Sequence, residues 1–307
     1  MFIKVVGALC PIIVTLLVGY YSSYRKRFDL NDASRFNAFV LNFALPFSLF
    51  GSIMSIKSAT IIDNLSVGFW VMVAMIGGYL ITFFISHFIL RRPISIAGIR
   101  ALAINGPSIV YVGPIILGTV FPKESALIIS FGGIILNLFQ MPLTIILISM
   151  DQNGNSSYLK HFVAAFKKPV VFAPIIASIL VFMGFNLDLI WVRNFTVIGG
   201  ATSGLALFSS GIILERLKPS ISFNVGINVF LKLIIVPVIM FIIMTLTHTS
   251  QPVMTQILVT TGIPSAAIIT TFANQYHVAE KEMVSTLFFS TVISIFTLAA
   301  IMLIRGI

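Results

Sequence analysis

Ten residues interrupt a long apolar run in the first half of the chain: Asn105 to Pro114, with the sequence NGPSIVYVGP. Two prolines and two glycines lie among them. Proline removes a backbone donor and clashes with the preceding helical turn, and glycine loosens a helix further. The stretch therefore predicts a helix that breaks inside an apolar segment, beside the amide side chain of Asn105.

The composition is that of an integral membrane protein. Of the 307 residues, 58% are hydrophobic and only 9% are charged, whereas soluble domains carry about 25% charged residues. A bilayer core of about 30 Å requires about 20 apolar residues per helix. Ten such segments are predicted, at about 8–23, 33–56, 66–90, 98–120, 125–149, 169–184, 190–213, 222–246, 253–273 and 283–304. Continuous apolar runs indicate helices and not the short alternating strands of a membrane barrel.

The net charge of +10 is distributed unevenly over the connections between these helices. Thirteen basic residues lie at or beside five connections that share one side of the membrane: Arg25, Lys26, Arg27, Arg35, Arg91, Arg92, Arg100, Lys160, Lys167, Lys168, Arg216, Lys218 and Lys281. Five lie toward the opposite side: Lys4, Lys57, Lys123, Arg193 and Arg305. Basic residues mark the cytoplasmic side, so we expect a plasma-membrane protein with both termini outside. Because topology explains the charge, no nucleic-acid partner is expected.

Several function classes find no support in the residues. Cys10 is the only cysteine, so no disulfide framework or thiolate metal site is expected. The four histidines lack metal-ligand spacing, and no phosphate-binding glycine loop or hydrolase elbow has a suitable context. We therefore expect no metal, no cofactor and no enzymatic activity.

Matching residues recur in the two halves of the sequence at nearly one offset. Pro107-Ser108 is matched by Pro264-Ser265 after 157 residues. Lys123-Glu124 is matched by Lys281-Glu282 after 158 residues. Matches in the correct order at one spacing predict an internal repeat.

The predicted repeats are residues 1–150 and 169–307, joined by a cytoplasmic linker at 151–168. With five helices in each half, the second repeat must enter the membrane upside down. Inverted repeats are characteristic of secondary transporters, which bind substrate near the midplane at discontinuous helices. An old gene duplication in a channel, an enzyme or a receptor is the alternative.

The two breaks predict a site for an anion. Irregular backbone at membrane depth is tolerated only where protein or a water-filled cavity covers it, and the amino end of a broken helix carries a positive dipole. The candidate substrate-binding residues are Asn105, Gly106, Pro107, Ser108, Thr261, Gly262, Pro264 and Ser265. A pair of ordinary proline kinks is the alternative.

The charged residues also favour an anionic substrate. All nine acidic residues fall in connections or at helix ends, whereas a cation carrier normally holds its ion at an intramembrane carboxylate. Lys232 is the only strongly charged residue well inside an apolar run. We expect its amine to compensate substrate charge, to brace the broken ninth segment or to titrate during transport. Snorkelling of the amine to the membrane interface is the alternative.

Other polar residues within the segments are candidates for a substrate pathway: Asn42, Ser48, Ser52, Asn137, Gln140, Ser203, Ser209 and Ser210. Asn137 and Gln140 stand one turn apart in the fifth segment. The alternative role of such residues is to join helices by packing and hydrogen bonds.

Short motifs in three segments resemble the auxin efflux carrier family. They are LNFALPFSLF at 41–50, the NGP break at 105–107 followed by Gly113-Pro114, and GIPSAA at 262–267 followed by ANQY at 273–276. The resemblance covers nearly the whole chain. Plant members have a long loop between the halves, so the short linker here resembles the bacterial, malate-permease-like branch.

The resemblance implies an all-α integral membrane fold of ten transmembrane helices, similar to bile-acid symporters and sodium/proton antiporters. It implies two inverted five-helix repeats in which broken helices four and nine cross. Helices within 1–60 and 169–218 are then the scaffold, and those within 66–149 and 220–306 are the transport domain. Family members carry organic anions by an elevator-type motion. Protons are a candidate coupling ion, and the scaffold helices are a candidate homodimer interface.

From residues and resemblance together we predict a secondary transporter for a small organic anion, a dicarboxylate such as malate. Two alternatives stay open at this point. One is an exporter of a weak hydrophobic acid, such as an auxin-like compound. The other is a non-transporting membrane sensor that kept the carrier fold.

Overall fold

A computed structural model describes residues 2–55, 65–110, 112–152, 168–185 and 187–307. Within these ranges the regular structure is helical, with one isolated antiparallel bridge between Pro107 and Ser265 and no strand. The all-α prediction is therefore confirmed for this part of the chain. Nearly all of the predicted linker at 151–168 lies outside the described residues.

Twelve helices in the described ranges carry the labels used below, with bounds that include the π-helical turns inside them. They are α1 Phe2–Tyr24, α2 Leu30–Met54, α3 Ser66–Ile89, α4 Ile94–Asn105, α5 Gly113–Val120, α6 Ser125–Asp151, α7 Pro169–Phe182, α8 Ile190–Leu217, α9 Phe223–Leu246, α10 Gln251–Gly262, α11 Ile268–Tyr276 and α12 Glu280–Ile304. The fourth predicted segment is thus divided into α4 and α5, and the ninth into α10 and α11.

Six of the described helices are long and apolar enough to cross a membrane: α2, α3, α6, α8, α9 and α12. This number makes the chain a multi-pass membrane protein by length and composition. The finer expectation, ten spans in two inverted repeats, stays a prediction. The six helices differ in burial. In the apolar part of α6, 61% of the residues are buried, whereas the share is only 28% in α3 and 33% in α9. The outer faces of α3 and α9 therefore belong to the lipid-facing surface.

Three long helices contain a π-helical turn just before a proline. The turns are Val40–Ala44 in α2, Leu136–Gln140 in α6 and Leu231–Ile235 in α9. Each ends two residues before a proline, namely Pro46, Pro142 or Pro237. Proline cannot donate the usual backbone hydrogen bond, and a local widening of the helix accommodates that loss. The turns in α6 and α9 carry Gln140 and Lys232, which both serve the site described below.

Glycines allow α1 and α8 to pack with their backbones in contact. A Cβ atom on Gly211 would overlap the carbonyl oxygen of Leu16, and one on Gly19 would overlap the carbonyl oxygen of Phe208. Small residues at such crossings are the usual means of close helix packing in membranes, where van der Waals contact replaces the hydrophobic effect. This contact joins the amino-terminal helix to the second half of the chain.

The variant Gly211→Ala tests whether the close contact between α1 and α8 stabilises the protein. The added methyl group must push the two backbones apart, so we expect a loss of about 1–3 kcal/mol of stability. Gly204→Ala is the matched control, since Gly204 lies on the same helix with nothing within 4 Å of an added Cβ. Thermal unfolding of the purified protein in detergent measures both variants. Equal unfolding temperatures for the two would show that the close approach is unnecessary.

Candidate functional site

The two interrupted helices meet through their backbones. Helix α4 ends at Asn105 and α10 ends at Gly262, and in each case several residues follow before the next helix begins. The backbone N–H of Ser108 donates to the carbonyl of Pro264 at 2.8 Å, and that of Ala266 donates to the carbonyl of Gly106 at 2.9 Å. Backbone groups released by one break are thus satisfied by the other, as membrane depth requires.

Side chains from neighbouring helices hold this crossing in place. Ser265 Oγ donates to the carbonyl of Ala103 in α4 at 2.6 Å. Gln140 Nε2 donates to the carbonyl of Asn105 at 3.0 Å and to that of Met75 at 2.8 Å. Because Asn105 is the last residue of α4, the Gln140 amide caps a carbonyl that the break leaves without a helical partner.

Lys232 supports the other broken helix. Its side chain is 1% exposed, and its Nζ donates to the carbonyl of Thr261 near the end of α10 at 3.2 Å. A cation is favoured at a helix C-terminus, where the dipole is negative. Among the described residues no carboxylate pairs with this amine. Burying an ammonium with one hydrogen bond is costly, so the position needs either neutralisation or an anion.

A cavity lies beside the crossing, between α2 and α8 on one side and α6 and both breaks on the other. Its volume is about 30 Å³. Polar side chains line it from four parts of the chain: Ser48, Ser52, Ser108, Asn137 and Thr202. Ala266, Ala267 and Ile268 line it at the start of α11, where the first amide groups have no partner within the helix. None of the described residues that line it carries a charge, so we expect its amides and hydroxyls to do any binding. We call it the crossing cavity.

The predicted site residues divide between this cavity and its surroundings. Ser48, Ser52, Ser108 and Asn137 line the crossing cavity. Asn105, Pro107 and Thr261 line a smaller cavity of about 10 Å³ that also contains Lys232. Gly106, Gly262, Pro264 and Ser265 form the backbone crossing and its flanks.

Asn42 and Ser203 lie away from both cavities. Asn42 is exposed on α2, and its Nδ2 donates to the carbonyl of Ala38 one turn earlier at 2.9 Å. Ser203 is half-buried and lines none of the cavities described. The structure therefore brings Ser48 and Asn137 together and leaves these two predicted pathway residues outside.

Thr202 is a lining residue that the sequence analysis missed. It is 1% exposed, and its Oγ1 has no hydrogen-bond partner among the described residues. The signal available in the sequence is helical spacing, because Thr202, Ala206 and Ser209 recur at intervals of three to four residues. That spacing places Thr202, and not Ser203, on the face toward the interior.

The sequence analysis also missed a buried ion pair, between Arg100 and Glu282. Arg100 Nε and Nη2 donate to the two carboxylate oxygens of Glu282 at 2.6 and 2.8 Å, and Asn228 Nδ2 donates to Oε1 of the same carboxylate at 2.8 Å. The side chains of Arg100 and Glu282 are 10% and 14% exposed. Glu282 stands at a helix end as expected, in the first turn of α12, where the dipole favours a carboxylate.

Lys168 joins two parts of the bundle. It precedes α7, and its Nζ donates to the hydroxyl of Tyr276 at 2.8 Å and to Ser149 Oγ at 3.3 Å. Burial lowers the pKa of the Lys168 amine below its ordinary value, because desolvation penalises the charged form.

A helical bundle with two broken helices paired at a buried polar crossing is typical of membrane transport proteins. A family model described as "Membrane transport protein" matches residues 4–302. The chain belongs to this family, the auxin efflux carrier family, and the resemblance drawn from its motifs is confirmed. It is thus a multi-pass membrane transport protein.

Three relatives extend over almost the whole chain. The chain is 29% identical to "Uncharacterized transporter YfdV" of Escherichia coli (strain K12), over 92% of this chain and 91% of that protein. It is 24% identical to "Putative malonate transporter" of Rhizobium meliloti (strain 1021), over 99% and 97%. It is 22% identical to "Uncharacterized transporter MJ1031" of Methanocaldococcus jannaschii, over 94% of each chain.

The Arg100–Glu282 pair leads to a double-mutant test. Arg100→Met alone and Glu282→Met alone each leave a buried charge without its partner, so we expect each to cost about 3–5 kcal/mol of stability. The double variant removes both charges, and we expect it to be more stable than either single variant. Thermal unfolding in detergent measures the three variants.

Arg35→Met is the control for this cycle, because Arg35 is 83% exposed and lies 4.0 Å from Asp32. An exposed pair of this kind contributes at most about 1 kcal/mol. If the loss of stability in the double variant equalled the sum of the two single losses, Arg100 and Glu282 would not depend on each other.

Proposed function

We propose that the protein is a secondary transporter of a small organic anion, a dicarboxylate such as malate or malonate, in the plasma membrane. The observation that carries the proposal is the crossing cavity, which lies between two groups of helices and is lined by amides and hydroxyls. The relative from Rhizobium meliloti that is named "Putative malonate transporter" supports a dicarboxylate. Thirteen basic residues on one side against five on the other support termini that both lie outside.

The substrate carboxylate would bind at the amino end of α11. Ala266, Ala267 and Ile268 line the cavity there. Because the Ala266 amide donates to the carbonyl of Gly106, the amides of Ala267 and Ile268 are the donors offered beside the positive dipole of the helix start. Ser108 and Thr202 supply hydroxyl donors from opposite sides, and the buried Thr202 Oγ1 has no partner in the described part of the chain. Hydrogen bonds to a charged acceptor are about twice as strong as neutral ones, so this donor set suits an anion without any arginine.

Binding requires the cavity to widen. A volume of about 30 Å³ has room for about two water molecules, since each needs about 10–15 Å³ by this measure. A dicarboxylate fits only if α2 and α8 move apart from α6 and the breaks. The predicted scaffold and transport domain divide along this line, which supports an elevator-type motion.

Few polar contacts among the described residues oppose that motion. Asn37 Nδ2 donates to Asn274 Oδ1 at 2.9 Å between α2 and α11, and the hydroxyls of Ser210 in α8 and Thr270 in α11 form a hydrogen bond. Both contacts join a predicted scaffold element to the predicted transport domain and must break as it slides. Each is a single hydrogen bond, worth about 0.5–1.5 kcal/mol when both partners are neutral, so exchange between states is energetically accessible.

Lys232 would provide the charge that the crossing cavity lacks. Its amine lies in the adjoining small cavity with Pro107 and Thr261, on the other side of the broken segment. A buried ammonium without a carboxylate partner raises the potential around the crossing and favours an anion there. The same amine braces α10, so its two roles call for separate measurements.

Substrate binding is tested by counterflow of labelled malonate and malate in proteoliposomes. We expect Asn137→Ala to weaken the apparent affinity about tenfold or more, because a hydrogen bond to a charged group is worth about 1.5–3 kcal/mol. Asn42→Ala is the matched control and should transport as the unaltered protein does. Saturable binding of these anions with no counterflow would indicate a sensor and contradict the proposal.

The role of Lys232 is tested by Lys232→Met in the same assay, with thermal unfolding measured in parallel. We expect counterflow to fall to background at every pH, while the folded protein is retained in detergent. Unchanged uptake with an unchanged pH profile would remove Lys232 from the mechanism. Loss of stability with normal uptake would assign it to bracing alone.

A further inference from the structure

A third and larger cavity lies between α3, α4 and α9, on the outer side of the bundle. Its volume is about 260 Å³, close to the lower end of the about 300–1,000 Å³ typical of ligand pockets. Its rim carries exposed apolar side chains from the middle of two membrane helices, with Ile81 61% exposed on α3 and Ile239 47% exposed on α9. Because α3 and α9 face lipid, this cavity opens sideways into the bilayer.

Two buried polar atoms without partners belong to residues in the wall of this lateral cavity. Ser86 is 5% exposed and Asn105 is 2% exposed, and neither Ser86 Oγ nor Asn105 Oδ1 has a hydrogen-bond partner among the described residues. The orientation of the Asn105 amide is fixed by its nitrogen, since Nδ2 donates to Thr82 Oγ1 at 2.9 Å. A buried polar atom left unpaired costs about 1–3 kcal/mol, and a bound hydroxyl group would remove that cost at Asn105 Oδ1. Ser86 lies eight residues beyond Gly78 on α3, about 12 Å along the helix, out of reach of the same hydroxyl.

The charges in the wall decide the class of head group. Among the described residues that line the cavity, Arg100 alone is charged, and both of its donating nitrogens are engaged by the carboxylate of Glu282. An anionic head group would have to displace Glu282, and a cationic one would face the guanidinium. Asn105 Oδ1 accepts only, so the ligand must supply a hydrogen-bond donor. A neutral hydroxyl meets all of these conditions.

Two adjacent glycines of α3, Gly77 and Gly78, create the space for the lateral cavity. A Cβ atom on Gly78 would overlap Asn105 Oδ1, so glycine is what admits the amide at this point. At Gly77 an added Cβ would meet nothing within 4 Å, and Gly77 also lines the cavity. The volume beside Gly77 is therefore open, and a larger side chain there would occupy it.

We propose that the lateral cavity binds a neutral single-chain amphiphile with a hydroxyl head group, which enters from the bilayer. The hydroxyl donates to Asn105 Oδ1 where that atom lies against Gly78, and the chain lies along the apolar walls of α3 and α9. The site is separate from the crossing cavity and does not rest on the transported anion. It gives the protein a lipid-derived ligand close to the end of broken helix α4.

The test uses a long-chain alcohol that carries a photoreactive diazirine, added to the full-length protein in lipid nanodiscs. We expect the label on peptides of α3, α4 or α9 and competition by the unlabelled alcohol. Gly77→Leu fills the cavity and should abolish the label. Gly226→Leu is the matched control, because Gly226 lies on α9 outside the cavity with nothing within 4 Å of an added Cβ; its labelling should equal that of the unaltered protein.

The head group is tested by two further comparisons. An alkane of equal length should compete about fivefold less well than the alcohol, as expected for the loss of one neutral hydrogen bond, while Ser86→Ala should leave competition by the alcohol unchanged. Full labelling of Gly77→Leu, despite a normal unfolding temperature, would overturn the proposal. Competition by the alkane as strong as by the alcohol would also overturn it, because the cavity would then be an unspecific contact with lipid tails.

Discussion

Two backbone hydrogen bonds between the broken segments, Ser108 to Pro264 and Ala266 to Gly106, are the contact on which the site depends. An open helix end inside a membrane exposes polar groups that neither lipid nor water can satisfy, at a cost of several kcal/mol each. If only one helix were broken, side chains would have to supply the hydrogen-bond partners of its open ends. When two breaks meet, each supplies the partners that the other lacks, and the helix ends beside them remain available for a ligand.

The residues that support this crossing owe their positions to prolines elsewhere. Gln140 and Lys232 both lie in π-helical turns that end two residues before Pro142 and Pro237. A π-helical turn rotates the side chains that follow it relative to an ordinary helix. The wider turns thus bring an amide to the end of α4 and an amine to the end of α10.

Charge is arranged so that the crossing cavity itself stays uncharged. The buried Arg100 is neutralised by Glu282 on the lateral side of the bundle, and Lys232 stands behind the break and not in the cavity wall. Amides and hydroxyls hold an anion less tightly than a fixed guanidinium, because each contributes a partial charge only. A carrier must release its substrate on each cycle, so such a set of donors is suited to transport.

The sequence by itself determined the membrane class, the helical fold and the place where the helices break, because these follow from local hydropathy and from proline and glycine. It also singled out Lys232, since a charge in an apolar run is visible without a structure. Only the tertiary structure decided which side chains meet. Arg100 and Glu282 are 182 residues apart, and neighbouring residues such as Thr202 and Ser203 point about 100° apart on a helix. Such choices depend on helix rotation and packing between distant segments, which local sequence does not specify.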